Sequence, residues 1–277
     1  MPATDREKAI DVSSSPAPCS LRYRLRARPT LEADQPPVEA IREAFDTTRH
    51  WGVEQNLELG RSGDTTREVK VRFPKGSINP AHRHAPLGGA GFYSRMGLSE
   101  GTDAACLVYR VRFSEGFDFA RGGKLPGLHG GRAPSGGEDV SGEDGFSVRF
   151  MWRADGQGEL YEYIVNASTD FGLSIGRGTW RFPTGRWLEL QLEVVLNTPG
   201  RADGVARAWV DRHPVVDQTD VAYRTVDDIH ISGLMFSTFF GGSDRSWASP
   251  KDQHIQFADF RTLISDQRPR HRISRHD

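Results

Sequence analysis

Between about residues 50 and 265, apolar side chains recur with a period of two, the mark of strands that bury one face. Glu68–Phe73 alternates Val69, Val71 and Phe73 with Lys70 and Arg72, and Leu107–Phe113 sets Tyr109, Val111 and Phe113 against Arg110 and Arg112. Phe146, Val148, Phe150 and Trp152 share one side of a third run. In a fourth, Leu188, Leu190, Leu192, Val194 and Leu196 alternate with Glu189, Gln191 and Glu193. Further strands fit at 205–211, 229–240 and 254–264, separated by glycine and proline clusters without a long helical pattern or an internal repeat. The pattern predicts an all-β fold, a sandwich or jelly roll of two packed antiparallel sheets with few short helices.

The flanks read differently. Residues 1–20 are polar and rich in Ser and Pro, as a tail would be. Residues 21–29 alternate Leu21, Tyr23 and Leu25 with Arg22, Arg24 and Arg26, which suits an edge strand or a basic arm. Helical spacing over 38–45 follows Pro36-Pro37 and predicts a short helix. The expected organisation is a polar, basic and partly flexible arm over 1–49, the two-sheet β domain over 50–265, and a basic tail over 266–277.

Composition narrows the classes. The 36 Lys+Arg balance 37 Asp+Glu, so no basic excess suggests nucleic acid as a partner. No run approaches the roughly 18–20 apolar residues of a spanning helix, so no membrane partner is expected. Cys19 and Cys106 make neither a disulfide framework nor a zinc motif, and Cys19 lies in the Ser/Pro-rich stretch, so free thiols are expected. The opening MPATDREKAIDVSSSPAPC has no apolar core of a secretory signal, which leaves the localisation open. Asn166-Ala167-Ser168 matches a glycosylation acceptor and gains little weight without such a signal.

The informative stretch is Gly122–Val165. Two alternating runs flank a five-residue loop, Ala154–Gly158, which predicts a hairpin. If Arg153 pairs with Glu159, Arg149 stands opposite Tyr163 and Met151 opposite Tyr161. Phe146, Val148, Phe150 and Trp152 then enter the core. Ser147, Arg149, Arg153, Tyr161 and Tyr163 share the other face, with Glu159 near one end. That face is either an ordinary solvated surface or a saccharide cleft, in which tyrosines pack on sugars and arginine pairs with a carboxylate. Upstream, Arg121–Gly131 sets Lys124 and His129 among five glycines and a proline, and reads as a loop whose backbone a ligand could approach closely.

Other chemistries find less support. Glycoside hydrolysis needs facing carboxylates, and Glu159 and Glu162 have opposite parity. No serine-hydrolase elbow, phosphate loop or dinucleotide fingerprint occurs. His82-Arg83-His84 has metal-like spacing without an obvious third ligand. Gly241-Gly242-Ser243-Asp244 with Asp252 suits either a structural calcium or an aspartate-capped turn. No cofactor or catalytic metal is expected.

The segments VRFPKGSINP (71–80), GGAGFYSR (88–95), GGKLPGLHGG (122–131), FSVRFMWRADGQGELYEYIV (146–165), SIGRGTWRF (174–182) and FSTFFGGSDRSWASPKD (236–252) resemble polysaccharide lyase family 14, which includes alginate and glucuronate lyases, and the related glucuronan lyases. The resemblance implies a β-jelly roll. It also implies an active-site lysine at Lys124, a Ser-x-Arg pair at Ser147 and Arg149, and a Tyr-x-Tyr pair at Tyr161 and Tyr163. His129 departs from the family pattern, which has tyrosine there, and puts substrate preference in question.

The implied activity is β-elimination on a β-1,4-linked polyuronate, with an acidic polysaccharide as partner and a monomeric enzyme. A cation must neutralise the uronate carboxylate, a task for Arg149 or Lys124. An acid and a base must move two protons. A tyrosine can do either if nearby cations lower its pKa; Tyr163, expected opposite Arg149, is the first choice and Tyr161 the second, with Lys124 the alternative as base. Substrate binding falls to Ser147, His129, Arg153 and Arg95. The competing classes are a non-catalytic carbohydrate-binding module using the same face and a protein-interaction domain.

Overall fold

The computed structural model describes residues 11–32, 35–47, 49–62, 66–165, 171–242 and 244–265. The expectations for residues 1–10, Asn166 and the 266–277 tail lie outside them. The alternating runs pair into two antiparallel sheets. The first runs, in spatial order, through β13 (His213–Val221), β12 (Gly204–Val210), β11 (Leu188–Val195), β6 (Ala104–Phe113), β15 (Gln253–Ile264), β4 (Thr66–Phe73) and β3 (Leu57–Ser62). In this sheet β1 (Arg24–Ala27) also pairs with β15. The second runs through β10 (Leu173–Ile175), β9 (Gly158–Tyr163), β8 (Gly145–Arg153), β7 (Gly122–Gly131), β14 (Ile231–Phe240), β5 (Ala90–Ser94) and β2 (His50–Trp51). Spatial neighbours distant in sequence, such as β7 and β14, give the crossed-over connectivity of a jelly roll.

Alternation decides which side chains meet between the sheets. Tyr109, Val111 and Phe113 of β6 face Phe146, Val148, Phe150 and Trp152 of β8 in one core, all fully buried. Phe73, Phe113, Phe117, Trp152 and Phe240 interlock mostly edge to face, the geometry that aromatic quadrupoles favour. The predicted helix forms as α2 (Pro37–Phe45), preceded by Pro36 and ended by Asp46 in the left-handed region. It drives Ile41 and Phe45 into that core, with Phe45 4.9 Å from Phe92. Of the two readings of 21–29, the edge strand is found over Arg24–Ala27.

Three expectations need correction. The cysteines are not free: Cys19, at the start of the short helix α1 (Cys19–Arg22), bonds to Cys106 of β6 across 87 residues, and both are buried. Local composition suggested mobility there, and no local signal reports a partner that far away. The Arg121–Gly131 stretch is not a loop but the strand β7, flanked by β8 and β14. Its pairing with both neighbours is interrupted between Lys124 and Gly127, so Pro126 sits where the ladder is already broken. Gly127 is required there, because a Cβ would come within 2.0 Å of the Val148 carbonyl oxygen.

The hairpin register is also shifted. Ser147 pairs with Tyr163, Arg149 with Tyr161 and Met151 with Glu159. Asp155 (φ 56°) and Gly156 (φ 71°) form a tight turn, and the Arg153 amide donates to the Gln157 carbonyl at 2.7 Å. The turn therefore closes two residues earlier than expected. A slip of two preserves every side chain's face, so the predicted face survives while its pairs change.

Candidate active site

Side chains pointing away from the core on the second sheet form one floor. Across the strands, Tyr93 stands level with Met235, Gly127, Arg149, Tyr161 and Ser174. The row on one side holds Gly233, His129, Ser147 and Tyr163; the row on the other holds Phe239, Lys124, Met151 and Glu159. Of the eight residues expected from sequence, seven lie on this floor. Arg95 instead stands exposed just past the end of β5.

Arg149 is 1% exposed, and its Nε has no hydrogen-bond partner. Its guanidinium makes no ion pair among the described residues. Burial lowers its pKa, and the facing Tyr163, Tyr93 and Tyr161 hydroxyls act against that. A cation buried without an anion is costly unless a ligand supplies one. Lys124, also buried, places its amine 3.5 Å from the Tyr161 ring centre and 2.9 Å from Met151 Sδ. Burial first, then the charges of Arg149 and Arg153, hold Lys124 well below the usual lysine range, with Glu159 opposing.

The tyrosines meet edge to face at 5.7 Å. Gly172 leaves room for them, since a Cβ there would lie 2.8 Å from both rings. The expected lowering of the tyrosine pKa is not found at Tyr161: burial, reinforced by Tyr163, pushes its hydroxyl up, outweighing Arg153. Tyr163 accepts a hydrogen bond from the Gly137 amide at 3.0 Å. Ser147 donates to the Pro134 carbonyl at 2.6 Å. Those two bonds tie the 132–144 segment to the floor, and Val140 packs on Met151, Tyr161 and Tyr163. His129 meets Tyr93 edge to face at 5.2 Å, and burial pushes its imidazole down to about 4.

Arg153 and Arg177 both grip the fully buried Glu159 through Nε, at 2.8 and 2.7 Å. Both also donate to the Ser174 hydroxyl. Arg153 stacks 5.6 Å from Tyr161 and 5.7 Å from Trp247. Sequence reasoning missed Arg177, Trp247 and Tyr93 as parts of this site. Tyr93 had a usable signal, its alternation with the core residue Phe92 on β5, but Arg177 and Trp247 reach the floor from irregular segments with no period to read. Elsewhere, Asp244 caps a turn by accepting from the Ser246 amide, and Asp252 accepts from the Lys75 amide. No His/Cys/Asp/Glu group of three that could hold a metal ion occurs among the described residues.

The sequence pattern of the polysaccharide lyase 14 family matches residues 61–260. No curated protein sequence matches the chain. Among solved structures, a marine PL-14 alginate lyase from Aplysia kurodai is 34% identical, with a TM-score of 0.76 over 87% of this chain and 99% of that one. The alginate lyase vAL-1 from Chlorella virus is 23% identical, with a TM-score of 0.68 over 87% and 100% of the two chains. An endo-β-1,4-glucuronan lyase from the fungus Trichoderma reesei shares the fold at 10% identity, with a TM-score of 0.51 over 88% and 94%. The chain, with its cationic and phenolic floor on a jelly roll, belongs to polysaccharide lyase family 14 and is a polysaccharide lyase.

Proposed function

We propose that this lyase cleaves a β-1,4-linked polyuronate of the alginate type, with Arg149, Lys124 and Tyr161 as its chemical core. The observation that carries the reading is the buried Arg149 guanidinium, which has no anionic partner of its own among the described residues. A uronate carboxylate supplies that partner through a bidentate pair. The alginate lyase from Aplysia kurodai, at 34% identity over nearly its whole length, supports alginate as the substrate class.

The proton transfers follow from the environments. The neutral Lys124 amine takes the C5 proton, and the electron pair left behind spreads into the carboxylate that Arg149 neutralises. The C4–O4 bond then breaks, leaving a C4–C5 double bond, and Tyr161 donates its proton to O4. A lysine held low and a tyrosine pushed up suit a base and an acid, respectively. With Tyr161 rather than Tyr163 opposite Arg149, the positional argument for the first-choice tyrosine passes to Tyr161, whose burial keeps the hydroxyl protonated, as a proton donor must be. Tyr163 orients its neighbour and fixes the 132–144 segment. Lys124→Ala and Tyr161→Phe are each expected to lower turnover at least about 100-fold with the fold retained. Turnover near wild type in either correctly folded variant would refute that residue's role.

A further inference from the structure

We propose that Trp51 and Phe239 form a remote sugar-stacking subsite of the same cleft, which takes the apolar face of a pyranose ring several residues along the polyuronate from the scissile bond. The inference rests on the lyase reading above and concerns how the chain is gripped away from the chemistry. Trp51, on the edge strand β2, pairs with Gly91 of β5. A Cβ on Gly91 would lie 2.2 Å from the Trp51 Nε1, so the missing side chain lets the indole lie against the strand. Gly91 has the parity of Tyr93, which places that indole on the catalytic floor rather than in the core.

Phe239 meets Trp51 edge to face at 6.0 Å, and both rings are half-buried. Neither belongs to the main core. The inward positions of these strands are filled by Phe92, Phe236 and Phe240, so the outward rings add surface, not core volume. Phe239 also pairs directly with Lys124. A Cβ on Gly241 would lie 3.7 Å from both the Phe239 ring and Lys124 Cε, so the bare backbone there leaves the two side chains adjoining. A path runs from Trp51 through Phe239 and Lys124 to Tyr161, crossing the sheet from its edge to the proposed reacting atoms. Trp51 stands three strand spacings from Lys124, about 14 Å, a span of several sugar rings. Flat aromatic faces at that distance suit a neutral grip on a polymer whose carboxylates are read elsewhere.

The test compares kcat/KM on oligouronates from trisaccharide to hexasaccharide, and on polymer, for wild type, Trp51→Ala, Trp51→Phe and Phe239→Leu. Trp51→Ala is expected to lose about five- to tenfold on the longest substrates while staying within about twofold on the trisaccharide. Trp51→Phe should restore most of that loss, and Phe239→Leu should show the same dependence on length. An equal loss on all lengths, or no loss on any, overturns the subsite. Calorimetric binding of the same oligosaccharides separates this proposal from the lyase reading. If wild type forms no unsaturated product, the polyuronate reading fails. The subsite then stands on a length-dependent loss of affinity in Trp51→Ala and falls without one.

Discussion

Replacing Glu159 by glutamine tests how the floor is held together and how Lys124, the proposed base, is tuned. The Glu159 carboxylate is fully buried and bonds Arg153 and Arg177 at 2.8 and 2.7 Å. Removing one partner of a buried ion pair costs about 3–5 kcal/mol, because a charge is left behind. Here the two arginines keep 15% and 27% of their side-chain exposure and regain some water, and glutamine still accepts one bond. The expected loss is therefore about 2 kcal/mol, or about 4–8 °C in Tm for a chain of this size. The same change removes the one charge that raises the Lys124 pKa and leaves Arg149, Arg153 and Arg177 to lower it. A base works only when deprotonated, so the acid limb of kcat/KM should move to lower pH in Glu159→Gln. Thermal unfolding and a pH–rate profile measure both effects. An unchanged Tm, or an acid limb displaced to higher pH, would refute this account of Glu159.

Two further outcomes follow from burial and covalent structure. The His129 imidazole lies at about 4 against its ordinary 6.5, so its neutral form favours folding, an advantage present above pH 6.5 and lost as pH falls through 4. Wild type should lose about 3 kcal/mol more stability than His129→Phe over that interval, measured by denaturant unfolding at each pH. Reducing the Cys19–Cys106 bond, which spans 87 residues, should lower stability by about 2–4 kcal/mol in the same assay.

The two-sheet fold was legible because burying one face of each strand imposes a period of two on Tyr109, Val111 and Phe113 and on Phe146 through Trp152. The face carrying Arg149, Tyr161 and Tyr163 was legible for the same reason, since parity survives a register slip of two. The register itself was not, because it depends on the left-handed Asp155 and Gly156 in the turn. Strand β7 was hidden by its own glycines and proline, residues that signal loops when exposed. At Gly127 the glycine instead permits close strand approach, and Pro126 sits at a break in the ladder. The disulfide, Arg177 and Trp247 depend on tertiary approach between segments far apart in sequence. The direction of the Tyr161 shift was misjudged because burial outweighs the neighbouring cations, and burial is not visible in the spacing of charges.

β-Elimination at the Arg149 floor is read directly from the ultraviolet absorbance of unsaturated uronate ends. Polymannuronate, polyguluronate, glucuronan and hyaluronan are each incubated with wild type, Arg149→Ala and Arg149→Lys. Wild type is expected to generate the chromophore on an alginate-type polyuronate. Arg149→Ala should lower kcat at least about 100-fold, and Arg149→Lys should recover only part of the rate, because an ammonium keeps the charge without the bidentate fork. No chromophore on any polyuronate, or an Arg149→Ala variant whose kcat matches wild type, would contradict this reading.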